Sequence, residues 1–285
     1  MDFSVLVIAH QRAGHLQRLL DGARRNSVVP NEIIVVYMDD PSPQPVDSEL
    51  PLRILHLQNA PGSQGLPLAQ ARNFAARSAI YRNLIFLDVD CIPASETFSN
   101  LLRCLQAHEA LSMVTPRYLR TQLPAGPTPP DAELVMLSTE HHMRADVETN
   151  VPCQRHELFW SLGFAITAQN FARLGGFSTD YNGYGGEDTD FAFKAREQEL
   201  PVLFSQAAVF HQHHGVYKPP LNHFEEILIN AETFRQRWGV WPMTGWLEKF
   251  AELGLIVWTP TSSTIRIRRR PSLAEVENSR CDAAY

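Results

Sequence analysis

The stretch Asn83-Leu-Ile-Phe-Leu-Asp-Val-Asp-Cys-Ile-Pro93 decides how this chain folds. Its first part, Leu84–Leu87, is a continuous apolar run, which is typical of a strand buried on both faces of a parallel sheet. The run ends at Asp88 and Asp90, and Pro93 is expected to prevent further strand pairing because proline has no amide hydrogen to donate. The sequence therefore predicts a central strand with acidic residues at its carboxyl end.

Those acidic residues are the first candidate site. Side chains alternate along an extended strand, so Asp88 and Asp90 are expected on one side and Val89 on the other. Open α/β sheets bind ligands at the carboxyl ends of their strands, and two neighbouring carboxylates suit a hard divalent cation. The alternative is that both residues only cap the turn and helix that follow.

The composition of the chain restricts its class. It has 285 residues, 44% of them hydrophobic and 20% charged, which is ordinary for a soluble globular protein. The net charge of −6 does not suggest general affinity for nucleic acid, and no apolar run approaches the ~20 residues that cross a bilayer. The apolar run Val5–Ala9 is too short for a signal peptide, and the four cysteines have no paired spacing. A cytoplasmic protein with reduced thiols is therefore expected.

The order of predicted elements indicates an α/β fold. Strands and helices alternate as β-α-β-β-α-β up to Leu84–Leu87, with a turn predicted at Gly62–Gly65. Ligand-type residues at the strand ends give this half a Rossmann-like, nucleotide-binding character. The predicted elements outside the central strand include the strands Phe3–Ala9, Glu32–Met38, Leu52–Leu57, Leu111–Thr115 and Pro201–Phe210, and the helices Pro67–Tyr81, Thr97–His108 and Trp241–Leu253. Two further helices are predicted from apolar residues that share one face, the first with Leu16, Leu19, Leu20 and Ala23, and the second with Leu221, Phe224, Leu228, Ala231, Phe234 and Trp238.

A glycine-rich segment, Gly183-Tyr-Gly-Gly-Glu-Asp-Thr-Asp190, is the second candidate site. Glycine lets the backbone approach a ligand closely, and Tyr184 is expected to stack on a flat ligand such as a sugar ring. Glu187 and Asp188 fall at the start of a helix predicted to continue through Arg196, where a carboxylate can act as a general base. Helix capping is the alternative, although it does not account for the glycine and aromatic residues.

Histidines and arginines mark two further segments. In His211-Gln-His-His214, the pairs His211 and His213 or His211 and His214 can share a face and bind metal, whereas the alternative is a set of surface histidines. From residue 259 onward a flexible polar tail is expected, with a basic run at Arg266–Arg270. That run either is solvated or contacts an anionic membrane surface, which would place the protein at the inner face of a membrane.

Together the three motifs resemble those of a known family over roughly Ser4–Trp246. The chain is similar to GT-A-fold glycosyltransferases of family 2, in the branch whose C-terminal half is galactosyltransferase-like. Gly183–Asp188 resembles the Gly-Trp-Gly-Gly-Glu-Asp motif of β1,4-galactosyltransferases, with Tyr184 in place of the tryptophan. The resemblance implies a GT-A fold, with a mostly parallel sheet flanked by helices, in a single domain over residues 1–258. Its nucleotide-binding half would be 1–116 and its acceptor and catalytic half 117–258, followed by the tail 259–285.

The resemblance also implies roles for individual residues. Asp188 would be the catalytic base, Glu187 would hold the acceptor, and the metal would bind Asp90 with His211 as first and His214 as second choice. The acceptor or sugar platform would comprise Tyr184, Gly185 and Gly186, with Trp160 from the apolar segment 158–167. The residues expected to bind the nucleotide or donor, including its diphosphate and metal, are Ala9, His10, Arg12, Asp39, Asp40, Arg72, Asn73, Asp88, Val89 and Asp90.

The activity implied is an inverting, metal-dependent transfer of a hexose or N-acetylhexosamine. The donor would be a nucleotide sugar, with UDP as the expected nucleotide, and the acceptor a hydroxyl of a glycan, a glycolipid or a small molecule. Mn²⁺ or Mg²⁺ would be the cofactor. Two alternatives from other classes are a metal-dependent hydrolase or nucleotidyltransferase, which needs no acceptor, and a sugar-nucleotide-binding protein without catalytic activity.

Overall fold

The computed structural model describes residues 1–59, 65–144 and 146–282. The predicted turn at Gly62–Gly65 lies outside these residues except for Gly65. The helices are α1 Ala13–Arg24, α2 Leu68–Ser78, α3 Thr97–His108, α4 Asp131–Leu137, α5 Ala168–Arg173, α6 Glu187–Glu197, α7 Phe224–Trp238, α8 Thr244–Glu252 and α9 Leu273–Ser279. The strands are β1 Phe3–Ala9, β2 Glu32–Met38, β3 Leu52–Leu57, β4 Asn83–Asp88, β5 Cys91–Pro93, β6 Leu111–Leu119, β7 Ser138–Glu140, β8 Gly163–Thr167, β9 Val202–His211, β10 Val216–Tyr217, β11 Ile256–Val257, β12 Arg266–Ile267 and β13 Arg280–Cys281.

One large sheet forms the centre of the molecule, in the order β3-β2-β1-β4-β8-β6-β9-β5, with β7 paired to β6. The first four strands of that order are parallel, whereas β8 is antiparallel to both of its neighbours, β4 and β6. Strands β1 and β2 are buried along their whole length because helices cover both faces of the sheet. The predicted α/β fold with a largely parallel sheet flanked by helices is confirmed.

The predicted boundaries of the first half agree closely with the structure. The spans of β1, β2, β3 and α3 coincide with the predicted strands and helix. The prediction for Pro93 was wrong, since Pro93 lies in β5 and pairs with Val209 of β9. Strand β5 is at the end of the sheet order, where a missing amide donor is tolerated.

The C-terminal part forms a second packing unit around α7 and α8. Its apolar cluster includes Phe224, Ile227, Leu247 and Phe250, and it is separate from the cluster that buries the main sheet. The segment expected to be a flexible tail carries β12, α9 and β13, which pair or pack locally. Strand β12 pairs with β11, and β13 pairs with β10.

The basic run in this segment is partly neutralised. Arg269 forms an ion pair with Glu275 at 2.8 Å, and Arg270 forms one with Glu225 at 2.5 Å. Because two of its arginines are paired with glutamates, the run attracts an anionic surface less strongly than its sequence indicates. Among the described residues, no helix is both long enough and apolar enough to span a membrane.

Candidate functional site

A cavity of about 300 Å³ opens at the carboxyl ends of β1 and β2. Its lining residues are Gln11, Arg12, Ala13, Tyr37, Asp40, Ser42 and Gln44. The hydroxyl of Tyr37 is buried and has no hydrogen-bond partner within the described part of the chain, which is unfavourable unless a ligand supplies one. Burial, with a smaller contribution from Asp40, raises the pKa of Tyr37, so its hydroxyl stays protonated and can donate.

The other residues predicted at these strand ends have different surroundings. Ala9 is buried in the core, and His10 Nδ1 lies 2.7 Å from the carbonyl oxygen of Met38. Asp39 accepts a hydrogen bond of 2.6 Å from the backbone amide of Asn59. Of the predicted nucleotide-binding residues in this region, Arg12 and Asp40 therefore line the cavity, whereas Ala9, His10 and Asp39 do not.

The two central aspartates do not share one environment. Strand β4 ends at Asp88, and Val89 and Asp90 lie in a turn, so the alternation of an extended strand stops before Asp90. Asp88 contacts Arg72 at 3.1 Å, whereas Asp90 contacts Arg12 at 3.2 Å. The expectation that both side chains point the same way was based on an extended backbone, and the turn removes that basis. Val89 is 7% exposed and packs in the main core.

Asp90, His211 and His214 form a cluster whose candidate ligand atoms all lie within 4.8 Å of one another. The ring nitrogens of His211 and His214 lie 3.5 and 3.4 Å from the carboxylate oxygens of Asp90. The sheet creates this proximity, because β5 pairs with β9 so that Cys91 is opposite His211. His213 is directed elsewhere, with its Nε2 2.6 Å from the carbonyl oxygen of Asp282.

The electrostatics of the cluster favour metal ligands in their binding forms. Burial opposes ionisation of Asp90, but His211, His214 and Arg12 outweigh it and hold the pKa of this carboxyl well below its usual range. Burial lowers the pKa of His211, which keeps its imidazole neutral and able to coordinate. Asp88, which was also predicted as a metal ligand, is not part of this cluster.

Arg72 connects the end of β4 with the glycine-rich loop. Its guanidinium is buried, with NH2 3.1 Å from Asp88 and NH1 3.2 Å from Glu187. Burial raises the pKa of Asp88 to about 6 although Arg72 opposes the shift. Asn73, its predicted partner in donor binding, instead exchanges two hydrogen bonds with the backbone of Phe177 at 2.8 and 2.9 Å, and so holds the adjacent turn.

Helix α6 begins at Glu187, directly after Gly186, and carries the candidate base Asp188 in its first turn. An Asp188 carboxylate oxygen accepts a hydrogen bond of 2.7 Å from the backbone amide of Thr189. Burial, followed by the nearby charge of Glu187, raises the pKa of Asp188 to about 7. A carboxyl group with a pKa near neutral pH can accept a proton and release it again, which a general base requires.

The two predicted aromatic platforms lie in different surroundings. Tyr184 stacks with His223 at 4.7 Å and with Trp246 at 5.6 Å between ring centroids. Trp160 contacts His141 edge-on at 4.8 Å, and the guanidinium of Arg144 lies 4.2 Å from its ring centroid. Tyr184 is therefore one of three packed rings rather than an isolated phenol.

The fold is that of GT-A glycosyltransferases. Staphylococcus aureus TarS 1-349, solved in complex with UDP-GlcNAc, superposes with a TM-score of 0.53 at 18% identity, covering 81% of this chain and 66% of that one. GalNAc-T7, solved with UDP, GalNAc and Mn²⁺, superposes with a TM-score of 0.53 at 15% identity, covering 88% of this chain and 57% of that one.

Sequence comparison then assigns the family. The model described as "Glycosyl transferase family 2" matches residues 4–154, which is more than half of the chain, so the chain belongs to glycosyl transferase family 2. A second model, described as "N-terminal domain of galactosyltransferase", matches residues 141–215. The predicted family resemblance is confirmed in both halves.

Two curated relatives are both named validoxylamine A glucosyltransferase. One is from Streptomyces hygroscopicus subsp. limoneus, and the other is from Streptomyces hygroscopicus subsp. jinggangensis strain 5008. Each is 26% identical over 227 residues, which is 71% of this chain and 49% or 53% of the relative. The chain therefore spans about half the length of these relatives.

Proposed function

We propose that this chain transfers a hexose or N-acetylhexosamine from a UDP-sugar to a hydroxyl group, with inversion at the anomeric carbon. The observation that carries the proposal is the position of Arg12. This residue lines the cavity at the ends of β1 and β2 and also pairs with Asp90 at 3.2 Å. A nucleoside in the cavity therefore directs its diphosphate toward the cluster of Asp90, His211 and His214.

The donor assignment rests on the cavity and on the fold. The volume of about 300 Å³ suits a nucleoside, and Tyr37, Asp40, Ser42 and Gln44 offer polar groups for a base and ribose. Two structures with the same fold were solved with UDP or a UDP-sugar, and two relatives are named glucosyltransferases. These likenesses support UDP as the nucleotide and leave several hexoses as candidates for the sugar.

The three clustered side chains fit a transition-metal ion better than Mg²⁺. Two imidazoles with one carboxylate are ligands typical of transition metals, whereas Mg²⁺ prefers oxygen ligands throughout. Among transition metals, Mn²⁺ is the ion in the GalNAc-T7 structure, which has the same fold. When bound, such an ion supplies positive charge that stabilises the departing nucleoside diphosphate. Of the two cofactors expected from the sequence, we therefore propose Mn²⁺, held by Asp90, His211 and His214.

The chain's own residues then account for the transfer. Asp188 takes the proton of the acceptor hydroxyl as that oxygen attacks the anomeric carbon from the face opposite the diphosphate. Glu187 is held by Arg72 at 3.2 Å, so the loop that presents Asp188 is tied to the strand end that carries Asp88. One carboxylate base and direct displacement give a product with inverted configuration.

Calorimetric titration of UDP, with and without Mn²⁺, tests the donor site directly. We expect binding that requires Mn²⁺ and is lost in Asp90→Ala, because this change removes the carboxylate of the metal cluster. Absence of binding in either condition would contradict the proposal.

Release of UDP from UDP-glucose, UDP-galactose and UDP-GlcNAc is then measured with candidate acceptors. The first acceptor is validoxylamine A, which appears in the names of two relatives. Release at full rate without any acceptor would favour the hydrolase, and binding without release the non-catalytic protein.

A further inference from the structure

Helix α7 holds the glycine-rich loop through two side chains one helical turn apart. Oε2 of Glu226 accepts a hydrogen bond of 2.7 Å from the backbone amide of Tyr184. Asn230 is fully buried, and its Nδ2 donates to the carbonyl oxygens of Asn182 at 3.0 Å and Tyr184 at 3.3 Å. Its Oδ1 accepts from the amide of Asn182 at 3.3 Å. Four backbone groups on two residues of the loop are therefore bound from this one helix.

At two of its glycines the loop approaches the C-terminal helices too closely for a side chain. A Cβ atom added to Gly183 would lie 2.1 Å from Oε2 of Glu226, and one added to Gly185 would lie 2.6 Å from Sδ of Met243. Met243 directly precedes α8. Real Cβ atoms do not make such contacts, so the glycines permit the loop to lie directly against α7 and the start of α8.

The loop needs external support because its own backbone has little conformational preference. Gly183, Gly185 and Gly186 all have positive φ, between 69° and 98°. Glycine is free to leave such conformations, and its ordering costs more conformational entropy than that of other residues. The helices that supply the support have their own apolar cluster, in which Tyr184 and Trp246 also pack. They lie beyond residue 215, the last residue that either family model matches.

We infer that Glu226 and Asn230 are positioning residues, which fix the loop 182–186 so that Asp188, two residues further on, meets the acceptor hydroxyl. The inference rests on the proposed function for the role of Asp188. Each side chain acts through the hydrogen bonds that it forms with the backbone of the loop. Because a displacement of about 1 Å in a reacting group can reduce the rate by about 10²-fold, loss of this support reduces turnover without removing any catalytic group.

The experiment compares four variants of the full chain. Asn230→Asp replaces the amide nitrogen by a second oxygen, so at most one of the two donated hydrogen bonds survives, and Glu226→Ala removes the acceptor for Tyr184. Glu226→Gln is the conservative counterpart, since its amide oxygen can accept the same bond. Gln236→Ala is the matched control, because Gln236 lies on the exposed side of α7.

Four measurements are made on each variant: thermal unfolding, amide hydrogen exchange of residues 182–186, UDP binding with Mn²⁺, and the kinetics of UDP release with acceptor. We expect Asn230→Asp and Glu226→Ala to remain folded, to exchange the loop amides at least tenfold faster, and to bind UDP within twofold of the parent chain. In UDP release with acceptor, kcat falls by about 10²-fold while the donor KM changes little. The kcat of Glu226→Gln is at least tenfold higher than that of Glu226→Ala, and Gln236→Ala has the kcat of the parent.

Each contrary result overturns the inference separately from the proposed function. Unchanged loop exchange in folded Asn230→Asp and Glu226→Ala would show that these side chains do not hold the loop, whatever the activity of the chain. Faster exchange with unchanged kcat would show that the loop is held but that its position does not govern the reaction. Failure of the parent chain to bind UDP or to transfer any sugar would instead contradict the proposed function, and the exchange result would still decide whether the loop is held.

Discussion

Arg72 and Glu187 form a buried ion pair of 3.2 Å between residues 115 positions apart in the chain. The same guanidinium contacts Asp88 at 3.1 Å, so one arginine joins the end of the central strand to the first residue of α6. Only 4% of the Arg72 side chain and 8% of the Glu187 side chain are exposed. The pair therefore connects the two parts of the proposed active site away from solvent.

Replacing Arg72 by alanine is expected to destabilise the protein strongly. The change leaves Glu187 buried and Asp88 partly buried without their cation, and removing one partner of a buried ion pair typically costs about 3–5 kcal/mol. Urea denaturation of Arg72→Ala measures the loss. Arg155→Ala is the control, because Arg155 pairs with Asp146 and Glu157 at the exposed surface, where we expect less than about 1 kcal/mol. Equal losses in the free energy of unfolding of the two variants would show that the buried ion pair of Arg72 stabilises the protein no more than an exposed pair does.

The rate of sugar transfer should fall as the pH is lowered through about 7. Burial and Glu187 raise the pKa of Asp188 to about 7, and only its ionised form can accept the hydroxyl proton. In Asp188→Asn we expect turnover about 10²–10⁴-fold lower, the loss of this acidic limb, and unchanged UDP affinity. A pH–rate profile of both proteins checks this. Full activity of Asp188→Asn would exclude Asp188 as the base.

The raised pKa of Asp188 is also expected to make the stability of the protein depend on pH. Because the folded-state pKa of Asp188 lies above the ordinary value of 3.8, the unfolded chain loses this proton first as the pH rises, and folding is penalised increasingly between about pH 4 and pH 7. Asp188→Asn removes the penalty. A pKa raised from 3.8 to about 7 corresponds to about 4 kcal/mol, so the free energy of unfolding of Asp188→Asn should exceed that of the parent by up to about 4 kcal/mol at pH 8 and by little at pH 4. Urea denaturation at both pH values gives the comparison, and an equal difference at the two values would contradict the assignment.

The strands of the first half were predictable because their signal is local. A strand covered on both faces must be apolar at every position, so β1 and β2 can be read directly from their residues. The same reasoning failed at Pro93, since the pairing of β5 with β9 joins segments more than one hundred residues apart. Local patterning contains no information about such a partner.

The residues of the candidate site could likewise be predicted only in part from the sequence. Sequence marked Asp90, Asp188 and the three histidines, but the register of β9 and the turn after it determine that His211 and His214, rather than His213, face Asp90. Tyr37 was not predicted, because within an apolar strand a tyrosine reads as core. Asn230 was missed for a similar reason, since a single polar residue on a helix carries no pattern, and its partners are 48 residues away.

Metal affinity should distinguish the three neighbouring histidines. His211→Ala and His214→Ala each remove an imidazole of the cluster, and we expect each to weaken Mn²⁺ binding at least tenfold. His213→Ala is the matched control, since that ring contacts the carbonyl oxygen of Asp282 instead. Calorimetric titration of Mn²⁺ into the chelator-treated proteins gives the three affinities. Equal weakening in all three variants would indicate a general structural effect rather than coordination.

The hydroxyl of Tyr37 has no hydrogen-bond partner among the described residues, so removing this one oxygen atom tests whether the cavity binds the nucleoside. In Tyr37→Phe the fold loses no hydrogen bond among the described residues, and it is relieved of a buried polar group, so stability should be unchanged or higher by about 1 kcal/mol. If the hydroxyl binds the nucleoside, the loss of one hydrogen bond weakens UDP binding about three- to tenfold. Thermal unfolding and calorimetry on the same samples separate the two effects.

Ser205→Ala is the control, because Ser205 is buried in β9 and donates a hydrogen bond to the carbonyl oxygen of Met113. This change should lower stability and leave UDP affinity unchanged. Unaltered UDP affinity in Tyr37→Phe would place the nucleoside outside this cavity.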